Sequence, residues 1–192
     1  MKKYKNSRTT TSCSGVPAAK GTYLPGGALL TTFGKAGGRV IDSGSDPLGR
    51  WAWQKLIGKG GKTIQIVSAY RVSQKTMPGP TTAYTQQYKM LQDMDHSDPH
   101  PRNQFIIDLT AHLQTAISNK EEIILALDAN EEILPDGVPG PANSITTLKN
   151  TMHLSDVFTL PPVLPTTKTT VSDKNTGCSS NTLDWGRDPS SS

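Results

Sequence analysis

Three short segments of this chain place acid, amide, phenol and guanidinium groups where an apolar run stops. In Ile123-Ile124-Leu125-Ala126-Leu127-Asp128-Ala129-Asn130 the run ends in a carboxylate and, two residues on, a carboxamide. Residues two apart on a strand share a face, and ligand sites in open α/β sheets favour the carboxyl ends of strands. Asp128 offers a hard oxygen for Mg²⁺ or a base for a water. Asn130 offers a neutral oxygen for a metal and an N–H for a phosphate oxygen. The competing reading is that Asp128 and Asn130 only close the turn after the strand.

A second apolar segment, Ile66-Val67-Ser68-Ala69-Tyr70-Arg71, ends in a phenol and a guanidinium. Both donate to phosphate oxygens, Arg71 with a bidentate fork. Otherwise Tyr70 closes the edge of a core and Arg71 lies in solvent. The third segment, Asn181-Thr182-Leu183-Asp184-Trp185, sets an acid between two large apolar residues. Half-buried, Asp184 either orients a histidine or remains a structural carboxylate.

The elements that must position these groups follow from periodicity and turn chemistry. Residues 1–24 are rich in Lys, Ser and Thr without a hydrophobic period, and read as a disordered or loosely attached arm. Order is expected from Pro25-Gly26-Gly27, with β-type runs at Ala28–Phe33 and Arg39–Asp42, separated by a turn at Gly34–Gly38. A further turn is expected at Ser43–Pro47. Arg50–Ile57 and Thr63–Tyr70 flank a Gly-rich turn and form a hairpin, so the first half is an antiparallel β layer. Trp51 and Trp53 then share one face, where packing in the core outweighs stacking on nucleic-acid bases.

After Pro78-Gly79-Pro80, Thr81 or Thr82 caps a helix carrying Tyr84, Tyr88 and Leu91. Pro101 opens a second helix at the position proline favours, with Phe105, Leu109, Leu113 and Ile117 on its apolar face beside Ile106 and Ala116. The run Ile123–Leu127 reads as a central strand covered on both faces. A shorter helix is expected around Ile145–Met152, followed by a loop-rich tail with Pro161, Pro162 and Pro165. Strands first and then helices interleaved with strands predict an α/β sandwich.

Of the 20 Lys and Arg, 13 lie in residues 1–75 with only 2 of the 16 Asp and Glu, a net +11 against −7 for the rest. That polarity suits a surface that holds a polyanion, with acids gathered elsewhere; it also suits Lys on the wet faces of strands. No apolar run approaches the ~20 residues of a membrane span. The polar start Met1-Lys2-Lys3-Tyr4-Lys5 predicts no secretory leader. Two distant cysteines, Cys13 and Cys178, make neither a disulfide framework nor a zinc cluster. The expectation is a soluble, intracellular protein.

Taken in order, these segments resemble the endonuclease/exonuclease/phosphatase superfamily, whose fold is DNase I-like. The likeness runs from Pro25-Gly26-Gly27-Ala28 to Leu183-Asp184-Trp185, about four fifths of the chain. It rests on Ser68-Ala69-Tyr70-Arg71, Asp128-Ala129-Asn130, Leu154-Ser155-Asp156, Pro165-Thr166-Thr167 and Leu183-Asp184-Trp185. Gly44-Ser45-Asp46-Pro47-Leu48-Gly49-Arg50-Trp51 is similar to nuclease-like reading frames of this superfamily associated with mobile elements. The resemblance implies a four-layer α/β sandwich, two mixed β-sheets flanked by helices. It implies hydrolysis of phosphodiester or phosphomonoester bonds with Mg²⁺ or Mn²⁺ by in-line attack of water, with nucleic acid, DNA foremost, as substrate. Carried over by position, the resemblance has Asp128 activate or position the water, Asn130 hold metal or phosphate, Tyr70 contact the phosphate, and Asp184 orient a histidine.

Two departures stand beside the resemblance. Residues 1–24 contain neither Asp nor Glu, so the family's upstream metal-binding glutamate has no counterpart, and no histidine follows Asp184. The expectation is therefore a partial domain over residues 25–188 with a Ser-rich tail at 189–192. It is either an impaired nuclease or a catalytically silent remnant that binds nucleic acid or protein. Other signals fail on inspection. Gly60-Gly61-Lys62-Thr63 ends like a P-loop, but Leu56 stands where its first glycine belongs and a strand follows. His96 and His100 have metal-like spacing that Pro99 and Pro101 keep off a shared helical face. Asp108 and His112 read as a surface pair four residues apart on a helix.

Overall fold

The computed structural model describes residues 6–14, 26–74, 82–135 and 138–158. The chain divides into two units, Met1–Asp156 and Val157–Ser192, and every element below belongs to the first. A two-stranded antiparallel sheet is built from β1 (Arg8–Ser12) and β2 (Ala28–Thr32). A four-stranded sheet has the order β3 (Val40–Ser45), β4 (Trp51–Ile57), β5 (Thr63–Tyr70) and β6 (Glu122–Asp128). The first three of these strands run antiparallel, whereas β5 and β6 are parallel. The helices are a single turn, α1 (Gly34–Gly37), then α2 (Ala83–Asp93), α3 (Pro101–Ser118) and α4 (Ile145–Thr151). The architecture is mixed α/β, with one mixed and one antiparallel sheet.

The helices begin where their caps allow. The Thr82 hydroxyl accepts from the Thr85 amide at 3.1 Å, His100 Nδ1 from the Asn103 amide at 3.3 Å, and the Ser144 hydroxyl from the Thr147 amide at 3.1 Å. Pro101 takes the first position of α3. Phe105, Ile106, Leu109, Leu113 and Ala116 are buried as expected, but Ile117 is 45% exposed. At 100° per residue, steps of four drift by 40° each, so Ile117 has rotated a third of a turn away from Phe105.

The main core lies between α3, α4 and one face of the four-stranded sheet. Trp51, Val67 and Ala69 meet Phe105, Leu109 and Leu148 there. Trp51 and Phe105 pack edge to face, ring centres 5.9 Å apart. Trp53 is packed against the same cluster, so the two tryptophans do share a core face. The hairpin turn between β4 and β5 uses Gly60 and Gly61 at positive φ, which disposes of the P-loop likeness.

The reading of residues 1–24 as a disordered arm fails for Arg8–Ser12, which form β1. Thr9-Thr10-Thr11 has high strand propensity but no apolar period. What fixes it is a long-range contact. Gln54, fully buried on β4, donates through Nε2 to the Arg8 carbonyl (3.1 Å) and to the Thr10 hydroxyl (3.0 Å). Its Oε1 accepts from Thr32 at 3.0 Å. One buried amide thus ties both strands of the small sheet to the large one.

The turn expected at Ser43–Pro47 is also displaced. β3 continues through Ser45, and Gly44 sits opposite Trp53, whose ring fills the space a Cβ would need. The turn occupies Asp46–Arg50 instead and is organised by a buried carboxylate. Asp46 Oδ2 accepts from the amides of Leu48 and Arg50, at 3.0 and 3.1 Å. The Arg50 guanidinium grips both Asp46 oxygens at 2.7 Å and reaches Asp108 on α3 at 2.8 Å. Burial alone would lower the Arg50 pKa, but the hydrogen bonds and charge of Asp46, then of Asp108, outweigh it and raise the value. Asp108 therefore pairs with Arg50 and Gln104 rather than with His112.

The strand expected to be central and covered on both faces is an edge strand among the described residues. Ile123, Leu125 and Leu127 pack on the core, while Ile124 on the other face is 54% exposed. The small sheet lies over β3, β4 and β5, and an apolar run is indistinguishable from a two-sided strand until its neighbours are placed.

Two outcomes follow from these buried polar groups. Asp46→Ala leaves the Arg50 guanidinium buried without its two-pronged partner and should cost about 3–5 kcal/mol in urea unfolding; a loss under about 1 kcal/mol would contradict the role given to this pair. His112 sits between the rings of Trp51 and Trp53, with Gln65 Nε2 at 3.3 Å. Burial lowers its pKa below the ordinary 6.5, against the pull of Glu121 and Asp46. The neutral ring is thus favoured in the folded chain. Its contribution should be intact above pH 6.5 and lost as pH falls through the depressed folded value. Urea midpoints of the wild type and His112→Phe, followed from about pH 7.5 to about pH 5, should converge on acidification. A constant gap would refute the assignment.

Candidate functional site

The parallel pairing of β5 with β6 brings two of the sequence-predicted segments to one place. Tyr70 and Asp128 are direct register partners at the carboxyl ends of their strands, and the Arg71 amide donates to the Asp128 carbonyl at 2.9 Å. Asn130 follows in the left-handed region at φ 46°. Its Nδ2 reaches back to the Arg71 carbonyl at 2.7 Å, and its amide lies 3.3 Å from Asp128 Oδ1. Four residues separated by up to 60 positions thus meet at one sheet end. Asp128 and Asn130 are exposed, Tyr70 half-buried.

The two sides of this sheet end differ. Tyr70 and Asp128 belong to the strand face that carries Gln54 and looks toward the small sheet. Arg71 turns to the helix side and is nearly fully buried. Its guanidinium pairs with Glu131 and donates to the carbonyls of Arg102 and Asn143, the latter at 2.9 Å. The expected bidentate phosphate contact from Arg71 is therefore occupied by protein acceptors. Burial lowers the Arg71 pKa, as does the nearby charge of Arg102, and Glu131 opposes both.

Glu131 is the residue that sequence reasoning passed over. One of its oxygens takes both Arg71 and Arg102, the latter at 2.8 Å, and the other accepts the Ile145 amide at 2.9 Å at the start of α4. Arg102 completes the cluster by donating to the Val72 carbonyl. These groups line a cleft of about 450 Å³ that also includes His100, Asn103 and Ser144. The only signal in sequence was adjacency, since Glu131 follows Asn130 directly, and adjacency does not announce partners 29 and 60 residues away.

Of the other expected positions, Leu154 packs against the core. Asp184, Leu183, Trp185 and Pro165-Thr166-Thr167 lie outside the described residues. Among the described residues no group of three or more His, Cys, Asp or Glu is placed to hold a metal ion, and Glu131 is consumed by its arginines. Asp128 and Asn130 leave one carboxylate and one amide oxygen at this strand end, the type of donor that Mg²⁺ takes. That ion keeps several waters and commonly takes one or two carboxylates plus substrate phosphate oxygens. Asp128 is an exposed carboxylate, and the bond from Nδ2 to Arg71 turns the Asn130 oxygen to the opposite branch of its amide.

No protein-family model, no curated protein and no solved structure matches this chain. No helix among the described residues is long and apolar enough to cross a membrane.

The Asn130 geometry separates backbone from side chain. Asn130→Ala loses the hydrogen bond to Arg71 and, with it, the side-chain bonding that lets asparagine tolerate a left-handed backbone, together about 2–3 kcal/mol. Asn130→Gly loses the bond alone, about 1 kcal/mol. Chemical unfolding should rank glycine above alanine; the reverse order would rule out backbone strain as the reason for asparagine here.

Proposed function

We propose that this chain is a phosphoester-hydrolase domain of the DNase I-like, four-layer type, acting on nucleic acid, with DNA the favoured substrate. The observation that supports the reading is the Tyr70–Asp128 register with Asn130 folded back on Arg71. It assembles, on one sheet end, the phenol, carboxylate and carboxamide that the sequence resemblance assigns to phosphate and water. The net +11 of residues 1–75 suits a polyanionic substrate.

In this reading Asp128 accepts a proton from the attacking water, or holds that water by hydrogen bonding, while the P–O bond to the leaving sugar oxygen breaks and that oxygen takes a proton from solvent. Tyr70 donates a hydrogen bond from its hydroxyl to a phosphoryl oxygen. Asp128 and the Asn130 oxygen are the residues that would hold Mg²⁺ or Mn²⁺, which, when bound, supplies Lewis-acid stabilisation of charge on the phosphoryl oxygens. Arg71 acts from behind the strand end, since its backbone carries Asn130 while its side chain is engaged elsewhere. Asp184 keeps its role as a histidine-orienting carboxylate only if a histidine is supplied.

A second reading, a nucleic-acid-binding module without turnover, draws on a different observation. Asp128 has no arginine partner among the described residues, whereas Glu131 is bound by two, so a single strand carboxylate would carry the ion. A metal held by a single carboxylate is held weakly.

Nicking of supercoiled plasmid with Mg²⁺ or Mn²⁺ decides between them. The hydrolase reading expects slow nicking that chelation stops and Asp128→Ala lowers by about 10²-fold or more. Salt-sensitive retention of DNA by a folded chain with no nicking would select the binding module instead.

A further inference from the structure

We propose that Glu131 is a positioning residue. It holds the Asp128–Asn130 strand end in its working geometry through Arg71, without touching a substrate itself. The inference rests on the reading of that strand end as the site.

Asn130 lies beyond the last residue of β6, in a left-handed conformation, so no strand ladder fixes its side chain. Its orientation depends on one bond, from Nδ2 to the Arg71 carbonyl at 2.7 Å. The placement of Arg71 therefore sets the placement of Asn130. The Arg71 amide is tied to β6 through the Asp128 carbonyl. Its side chain is tied to the start of α3 through the Arg102 carbonyl and to the approach to α4 through the Asn143 carbonyl.

Among the described residues, Glu131 is the carboxylate that pairs with both guanidiniums. Two guanidiniums, each about 95% buried or more, share its Oε2, while Oε1 receives the Ile145 amide. One carboxylate thereby joins the ends of β5 and β6 to the beginnings of α3 and α4. Without it two like charges face each other out of water, and the repulsion falls on Arg71 and Arg102. The Arg71 backbone carries the carbonyl that holds Asn130, so strain passed from its side chain to residue 71 loosens that bond. Glu132, the next residue, is exposed on the same cleft and provides the control.

The test uses the full chain labelled with ¹⁵N, in which the Asn130 side-chain amide resonance is assigned by its disappearance in Asn130→Gly. Glu131→Gln should shift that resonance and speed its exchange with solvent, and Glu132→Gln should leave both unchanged. Glu131→Asp retains the charge but is one methylene too short to span both arginines and the Ile145 amide, and should reproduce the shift if the Gln variant does not fold. Where the wild type nicks plasmid, both Glu131 variants should lower kcat by about tenfold or more with KM little changed. An unmoved Asn130 resonance in either folded variant overturns the proposal. So does failure of both variants to fold, which would make Glu131 a folding residue only. Absence of nicking by the wild type rejects the hydrolase reading alone, because the resonance still reports on positioning.

Discussion

A guanidinium taken out of water must find acceptors for its N–H groups and an anion for its charge, and three of them are buried among the described residues. Arg50, Arg71 and Arg102 are each less than 5% exposed. The desolvation cost of such groups exceeds what one contact returns, so each has to be built into a network. Arg50 draws the Asp46 turn and helix α3 together. Arg71 and Arg102 draw the ends of two strands and the beginnings of two helices onto Glu131. These networks specify where chain segments far apart in sequence must meet, which an apolar core of interchangeable Leu and Ile does less sharply.

The same constraint divides the large sheet into two environments. On the helix side the packing is apolar, around Trp51, Phe105 and Leu109. On the side of the small sheet a buried amide, Gln54, is saturated with partners from both of that sheet's strands. Tyr70 and Asp128 emerge on this second side and Arg71 on the first. The strand end is therefore a junction at which chemistry capable of meeting a phosphate is backed by an ion cluster on the opposite face.

What could be read from the sequence was local. The start of α2 follows from Thr82, whose hydroxyl accepts an amide three residues on, that of α3 from Pro101 in the first helical position, and the hairpin from glycines between two alternating runs. The groups ending β5 and β6 were visible because polar residues interrupt apolar runs. What was hidden depends on distant partners. Arg8–Ser12 is a strand because Gln54 binds it, some 44 residues along the chain. The turn after β3 is displaced because Trp53 occupies the space above Gly44 and Asp46 collects the amides that follow. Arg71 has the composition of a phosphate ligand and the surroundings of a structural ion, and only the position of Glu131 distinguishes the two.

Edge placement of β6 gives the strand end its accessibility. A strand hydrogen-bonded on both sides and covered on both faces would bury Asp128 and strip it of solvent. Here the face bearing Ile124 and Asp128 is open among the described residues. The rigid side of the same strand, Leu125 and Leu127 against the helices, keeps it from moving. An exposed acid on a strand anchored from behind combines access from solvent with a fixed position. Asn130, tied to Arg71, extends that fixed geometry two residues past the last strand hydrogen bond.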